Sequence, residues 1–385
     1  MPETSIQSQI KFPNKSFSKI EVIQVLRGVS ACLVMLFHLR VFMKPGDPFK
    51  LEIDYIASCG PAGVDLFFVI SGFIMVLVTT KVSGNLRESI SFLLQRLFRV
   101  WPLYAFATIS LIIITYKLHI PSAAIISIVK SIFFVPLNLN NPPFFGYPVL
   151  NVGWSLNYEV YFYFLVSLSL LFGKYRWYFF GLIVVVTLVV MPILAGNFTM
   201  DTSDNGRQGW GYVNLITNPV IWTFVYGVII GLSYTSHFYS EIFTRLFAPK
   251  LVTYAIVTGV LWQYLSGFYG GHGPGRWGLG MALLFTALIY NSKQHPVNYP
   301  SWLVHLGNIS FSIYLWHLPV ARFIQELFIK LDYPIYNQGP ACVFLMVAIT
   351  LIVSQISYQF FEQKLVFKSF ENKKTKNPHL SPSLS

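Results

Sequence analysis

An all-α bundle of about ten transmembrane helices, a polytopic integral membrane protein, is the fold predicted by the apolar content, the scarcity of charge and the length of the apolar runs. The 385 residues are 54% hydrophobic and 11% charged, with mean hydropathy +0.57; an ordinary soluble domain is about 25% charged. Fifty-four per cent of 385 is about 208 apolar residues, enough for about ten spans at about 20 apolar positions each. A soluble fold is nearly excluded. The net charge of +12 would raise nucleic acid as a partner of a soluble chain, but in a membrane protein it reads as cytoplasmic loops that retain Lys and Arg. No nucleic-acid partner is therefore expected. Cys32, Cys59 and Cys342 are too widely spaced for a CxxC metal site and read as packing residues.

Residues 1–19 are polar and basic, and the first apolar run, 22–42, has the character of a retained span rather than a cleaved signal. Further runs lie at 63–80, 100–118, 122–137, 153–172, 177–195, 214–235, 251–268, 277–291, 303–325 and 339–361. The short run 122–137 contains Lys130 and precedes Pro136, Pro142 and Pro143, so it reads as re-entrant or interfacial. Ten spans with both termini cytoplasmic put 18 of the 27 cations inside; a full crossing at 122–137 would turn the 364–376 lysines outward, against the positive-inside rule. The expected division is a disordered basic tail at 1–19, one membrane unit at 20–365 and a second disordered basic tail at 366–385.

Ionisable side chains within spans are costly unless paired or wetted, which makes each a functional candidate. Arg27 and His38 are eleven residues apart, about 16 Å along a helix, and return to nearly the same face. Asp65 opens the second span. Arg96 and Arg99 share a helical face, an arrangement suited to phosphate, since a planar guanidinium bonds two oxygens; ordinary anchoring at the inner boundary is the competing reading. Ser155, Glu159 and Tyr163 form an i, i+4, i+8 stripe beginning beside Trp154, and Ser310, Tyr314 and His317 share another face. His317 beside Trp316 reads, from the residues alone, as a structural hydrogen bonder ahead of a catalyst. The glycine-rich segment 270–275 lacks the Lys-Ser/Thr ending of a phosphate loop and reads as an outer turn. No HExxH or carboxylate–histidine cluster supports a catalytic metal.

Five segments in register resemble the acyltransferase-3 family of integral membrane acyltransferases. They are Leu26-Arg27-Gly28 with His38, the run Gly63 to Phe73 containing Asp65, Arg96-Leu97-Phe98-Arg99 before Pro102, Trp154-Ser155-Leu156 with Glu159, and Gly307 to His317. The likeness covers about residues 20–365 and is nearest to the shorter exopolysaccharide O-acetyltransferases, without an appended carbohydrate-esterase-like domain. It implies a multi-pass protein of the bacterial cytoplasmic (inner) membrane. The implied donor is acyl-CoA, most often acetyl-CoA, and the acceptor a sugar hydroxyl on an exported polysaccharide or lipid-linked glycan. Implied partners are the lipid bilayer and other polysaccharide-assembly membrane proteins; no metal is implied.

On that resemblance Arg27, Arg96 and Arg99 would hold the CoA phosphates. Trp154, Ser155, Tyr163, Tyr314 and His317 would meet the acceptor, and His38, with Glu159 and Asp65, would form the catalytic group. His38 acts either as general base on the sugar hydroxyl or as transient acyl carrier; the first is preferred because no Ser or Cys pairs with it in sequence. Glu159 or Asp65 would orient its imidazole. A transporter or flippase without acyl transfer is the main rival, since buried charges also suit substrate passage. A non-catalytic membrane sensor is the second.

Overall fold

The computed structural model describes residues 20–117, 119–138, 140–204 and 211–365; the two tails expected at 1–19 and 366–385 lie outside them. The described residues are almost wholly helical and include no strand. The first third holds α1 (Glu21–Leu39), α2 (Lys50–Ala57), α3 (Ala62–Thr79), α4 (Leu86–Tyr116) and α5 (Ser122–Ile132). Next come α6 (Trp154–Leu170) and α7 (Arg176–Val185), which runs through a π turn into α8 (Met191–Leu194). They are followed by α9 (Gly211–Ile216), α10 (Trp222–Thr235), α11 (His237–Phe247), α12 (Lys250–Ser266) and α13 (Trp277–Gln294). The chain closes with α14 (Ser301–Asn308), α15 (Ser310–Lys330) and α16 (Pro340–Ser357), the last continuing as a π-helix over Tyr358–Leu365.

Every predicted apolar run falls on a helix. Five helical stretches are long and apolar enough to cross a membrane: Glu21–Phe42, Lys50–Thr79, Leu86–Tyr116, Gly173–Leu194 and Pro340–Gln363. The pair Pro219–Thr235 and His237–Phe247, bent by 108°, brings the number to six. The difference from the expected ten has a physical source. α6 and α12 have 17 residues each, and α15 is diluted by polar residues, among them Ser310, Ser312 and His317, which it buries against its neighbours. α5, with 11 residues, would extend only about 16 Å at 1.5 Å per residue, about half a hydrocarbon core. This agrees with the expectation that 122–137 does not cross. The run 303–325 is divided at Ile309 into α14 and α15.

α3 lies at the centre, packed against α1, α10, α13 and α6. It crosses α10 at close backbone contact: a Cβ on Gly72 would overlap the Phe224 carbonyl oxygen, and one on Gly227 would overlap that of Val69. Small residues allow such backbone approach where lipid offers no hydrophobic drive between helices. α1 and α14 meet in the same way, Gly307 lying against the Gln24 backbone and Gly28 against Gly307. α4 and α6 are joined by hydroxyls instead. Ser89 Oγ donates to the Ser167 carbonyl, and Ser167 Oγ donates to the Ser89 carbonyl at 3.0 Å.

At the far end of α3, Arg176 donates to the Thr79, Val82 and Gly173 carbonyls at 2.7, 2.5 and 2.6 Å, satisfying carbonyls left open where the helix stops. The crossing of α3 and α10 predicts a sharp contrast between glycines. Gly227→Ala should lose about 1–3 kcal/mol through overpacking, whereas Gly181→Ala, where an added Cβ meets nothing within 4 Å, should cost nothing. Thermal unfolding of the two detergent-solubilised variants checks this, and equal melting temperatures would refute the close crossing.

Candidate functional site

A pocket holding about 790 Å³ of space outside protein atoms opens between α1, α3, α4, α6 and α15. The lining includes Arg27 of α1, Ser71 of α3, Arg96 and Arg99 of α4, Ser155, Glu159 and Tyr163 of α6, and Tyr314 of α15. Thus the three predicted arginines and the whole Ser155–Glu159–Tyr163 stripe meet in one cavity. The stripe converges because i, i+4 and i+8 positions stack along one helical face, here turned inward from α6.

Within the pocket the neutral and acidic groups are mutually satisfied. Tyr163 OH donates to Glu159, as does Ser71 Oγ at 3.4 Å. Tyr314 OH donates to the Val152 carbonyl at 2.7 Å and lies 2.8 Å from Ser155 Oγ. The arginines differ. Among the described residues no hydrogen bond or ion pair within 4 Å engages Arg27, Arg96 or Arg99, and Arg96 Nε is buried without a partner. Arg96 leans over the Phe92 ring at 5.7 Å. Glu159 and Glu362 both act on Arg27 at longer range. Three guanidiniums against one lining carboxylate make the pocket electropositive, a setting for a multiply charged anion.

His38 and His317 lie outside this lining but against each other. His317 Nε2 is 3.3 Å from His38 Nδ1, with ring centroids 5.1 Å apart. His38 Nδ1 faces the Val34 carbonyl at 2.9 Å and His317 Nδ1 faces the Ile313 carbonyl at 3.0 Å. A carbonyl only accepts, so we assign the hydrogen of each neutral ring to Nδ1 and the lone pair to Nε2. Tyr314, a pocket wall, stands 6.2 Å from the His317 ring, which links the pair to the cavity.

Neither carboxylate expected to orient His38 does so. Glu159 is committed to Tyr163 and Ser71. Asp65 is fully buried, with one oxygen 2.7 Å from His272 Nδ1 and the other accepting from the Gly273 backbone N–H at 3.0 Å. Trp154 is likewise outside the lining. Its ring sits 5.0 Å from His272 and 6.3 Å from Phe68, between the Asp65–His272 pair and the pocket wall. Sequence reasoning missed His272, which lies in the segment read as an outer turn; a histidine among four glycines was the available signal.

It also missed Glu362, on the π-helix after α16, which accepts from Ser312 Oγ at 2.8 Å. A lone carboxylate closing the last apolar run was the signal there. The three cysteines are free, and Cys59 and Cys342 are buried as packing residues.

Comparison with known proteins gives these residues a context. The acyltransferase-3 profile, described as an acyltransferase domain, matches residues 20–359. The exopolysaccharide production protein ExoZ of Rhizobium meliloti (strain 1021) is 28% identical over 340 residues, 86% of this chain and 94% of the relative. The O-acetyltransferase OatA of Staphylococcus aureus (strain NCTC 8325 / PS 47) is 25% identical over 381 residues, 90% of this chain. The putative O-acetyltransferase SACOL0978 of Staphylococcus aureus (strain COL) is 25% identical over 377 residues, 88% of this chain. The chain spans only 57% and 56% of these two staphylococcal relatives. No solved structure matches.

The Asp65–His272 contact yields a stability prediction. Asp65→Ala leaves Gly273 N–H and His272 Nδ1 without their acceptor, a cost of about 1–3 kcal/mol for each buried donor. A melting temperature of the purified variant equal to wild type would show that the contact holds nothing.

Proposed function

The chain belongs to the acyltransferase-3 family and is an O-acyltransferase, and from that premise we propose that it moves an acetyl group from cytoplasmic acetyl-CoA to a sugar hydroxyl of an exported polysaccharide or lipid-linked glycan. The observation that carries this reading is the pocket in which Arg27, Arg96 and Arg99 stand without an ion-pair partner beside Glu159, Tyr163 and Ser155. Unpaired guanidiniums in a partly buried cavity favour a polyanion, because its oxygens would supply the missing partners. The coenzyme's phosphates fit that description. The hydroxyls of Ser155, Tyr163 and Tyr314, together with Glu159, suit a sugar's alternating donors and acceptors.

In the proposed reaction His38 Nε2 takes the proton of the sugar hydroxyl as its oxygen attacks the thioester carbonyl. The carbon–oxygen bond forms, the carbon–sulfur bond breaks, and the proton passes from His38 to the departing thiolate. Direct transfer is preferred to an acyl-enzyme because the hydrogen-bond partners of His38 are a backbone carbonyl and another imidazole, not a Ser or Cys nucleophile. The proposed setting is a bacterial inner membrane crossed ten times with both ends cytoplasmic. The charge pattern favours it: ten spans with a cytoplasmic N-terminus would put 18 of the 27 cations on the inner side, as the positive-inside rule asks. A transporter reading gains no support from relatives that are named as acetyltransferases.

Purified protein given labelled acetyl-CoA and a candidate glycan tests the proposal directly: ester should form, and no ester with any surface glycan of the producing cell would reject it. His38→Ala should lower the rate at least about 10²–10⁴-fold, the usual share of general base catalysis, at normal abundance in the membrane. Wild-type acylation by that variant would remove His38 from the mechanism. Arg96→Ala and Arg99→Ala should each raise the apparent KM for acetyl-CoA about tenfold or more, as expected for loss of a charge-assisted hydrogen bond. Unchanged donor kinetics would return both arginines to membrane anchoring.

A further inference from the structure

The sequence separates His38 and His317 by 279 positions, yet the fold sets their ring nitrogens 3.3 Å apart, and among the described residues no other side-chain nitrogen or oxygen hydrogen-bonds either ring. His317 is fully buried in α15, and His38 is partly buried near the end of α1. The Ile313 carbonyl holds the hydrogen of His317 on Nδ1, so the Nε2 lone pair of His317 points at His38 Nδ1. We propose that His317 is the positioning residue for His38, an uncharged imidazole in the place that a carboxylate takes in a Ser-His-Asp arrangement. This assignment rests on the reading of His38 as general base.

The geometry accounts for three requirements of a base. The shared hydrogen on His38 Nδ1, held between the Val34 carbonyl at 2.9 Å and His317 Nε2, keeps the lone pair on Nε2, the nitrogen that must receive the hydroxyl proton. Contact with a second ring and with Phe37, edge-on at 5.0 Å, restricts rotation of the imidazole. When Nε2 gains the proton, the new imidazolium already directs its Nδ1–H at a lone pair, so the hydrogen bond becomes charge-assisted and strengthens as charge develops. No proton needs to move to His317. The one taken from the hydroxyl leaves through Nε2 to the thiolate, and the atoms balance with His317 unchanged.

A positioning role and a packing role part company in kinetics. His317→Leu fills the space without an acceptor, whereas His317→Gln can offer an amide oxygen near the position of Nε2. With purified proteins, labelled acetyl-CoA and the acceptor glycan, His317→Leu should lower kcat about 10–100-fold with both KM values within about twofold of wild type. His317→Gln should recover most of the loss. Should the leucine variant not accumulate, His317→Asn replaces it, since its shorter side chain falls short of His38, and it should be as impaired as Leu. Equal kcat in the Gln variant and the Leu or Asn variant, or a loss confined to KM, would overturn the assignment. Ester formation by wild type and its loss in His38→Ala test the underlying reading separately, so failure of one is not mistaken for failure of the other.

Discussion

Where α3 crosses α10, Gly72 and Gly227 bring the two backbones into contact, and a Cβ on either would meet a carbonyl oxygen. That approach fixes both the depth and the rotation of α3. With Gly72 turned to α10, the adjacent Ser71 faces the pocket and reaches Glu159, while Phe67 and Phe68 form wall between pocket and interior. Asp65, near the start of the same helix, then falls where the 272–273 loop can close on it. Since α1, α6 and α13 also pack on α3, its placement sets the site residues contributed by α1 and α6.

The polar groups inside the bundle divide into those already satisfied and those that are not. Hydroxyls on the helices return mostly to carbonyls three or four residues back, as Thr79, Thr108 and Thr350 do; Tyr163 turns back to Glu159 on its own helix, and Ser89, Ser167 and Tyr314 find partners on other elements. Such closure is what an apolar surrounding requires. Arg27, Arg96 and Arg99 stand apart from it. Three like charges held together without a carboxylate within 4 Å oppose the compact state, a local cost of the kind tolerated at functional sites. An anionic ligand would remove it.

What was legible in the sequence was whatever repeats locally. Apolar runs announced the long helices, and i, i+4, i+8 spacing announced the Ser155–Glu159–Tyr163 face, because both are fixed by 3.6 residues per turn. α2 and α11 were not announced: Lys50, Glu52 and Asp54, or His237, Glu241 and Arg245, interrupt short segments whose apolar residues cover only one side. The pairs that matter most in the site were also hidden. His38 with His317 and Asp65 with His272 are 279 and 207 positions apart, distances at which only tertiary closure decides who meets whom. Expecting Asp65 or Glu159 beside His38 matched the chemistry of a triad but ignored that each carboxylate had closer donors, Gly273 and His272 for one and Tyr163 and Ser71 for the other.

That His38 is met by an imidazole instead of a carboxylate follows from its surroundings. An Asp beside a histidine in a bilayer must be desolvated as an anion, at a cost of several kcal/mol even after relaxation, and would set another negative charge near the anionic donor that the proposed function calls for. Under the proposed mechanism a neutral ring would avoid both penalties and still accept the hydrogen bond from His38 as that ring takes the proton. Its drawback is weaker stabilisation of the imidazolium than a full negative charge would give. The fold accordingly keeps its carboxylates off His38, Asp65 held by His272 and Gly273 and Glu159 by Tyr163 and Ser71, so that under the proposed mechanism the imidazole pair would carry no neighbouring anion.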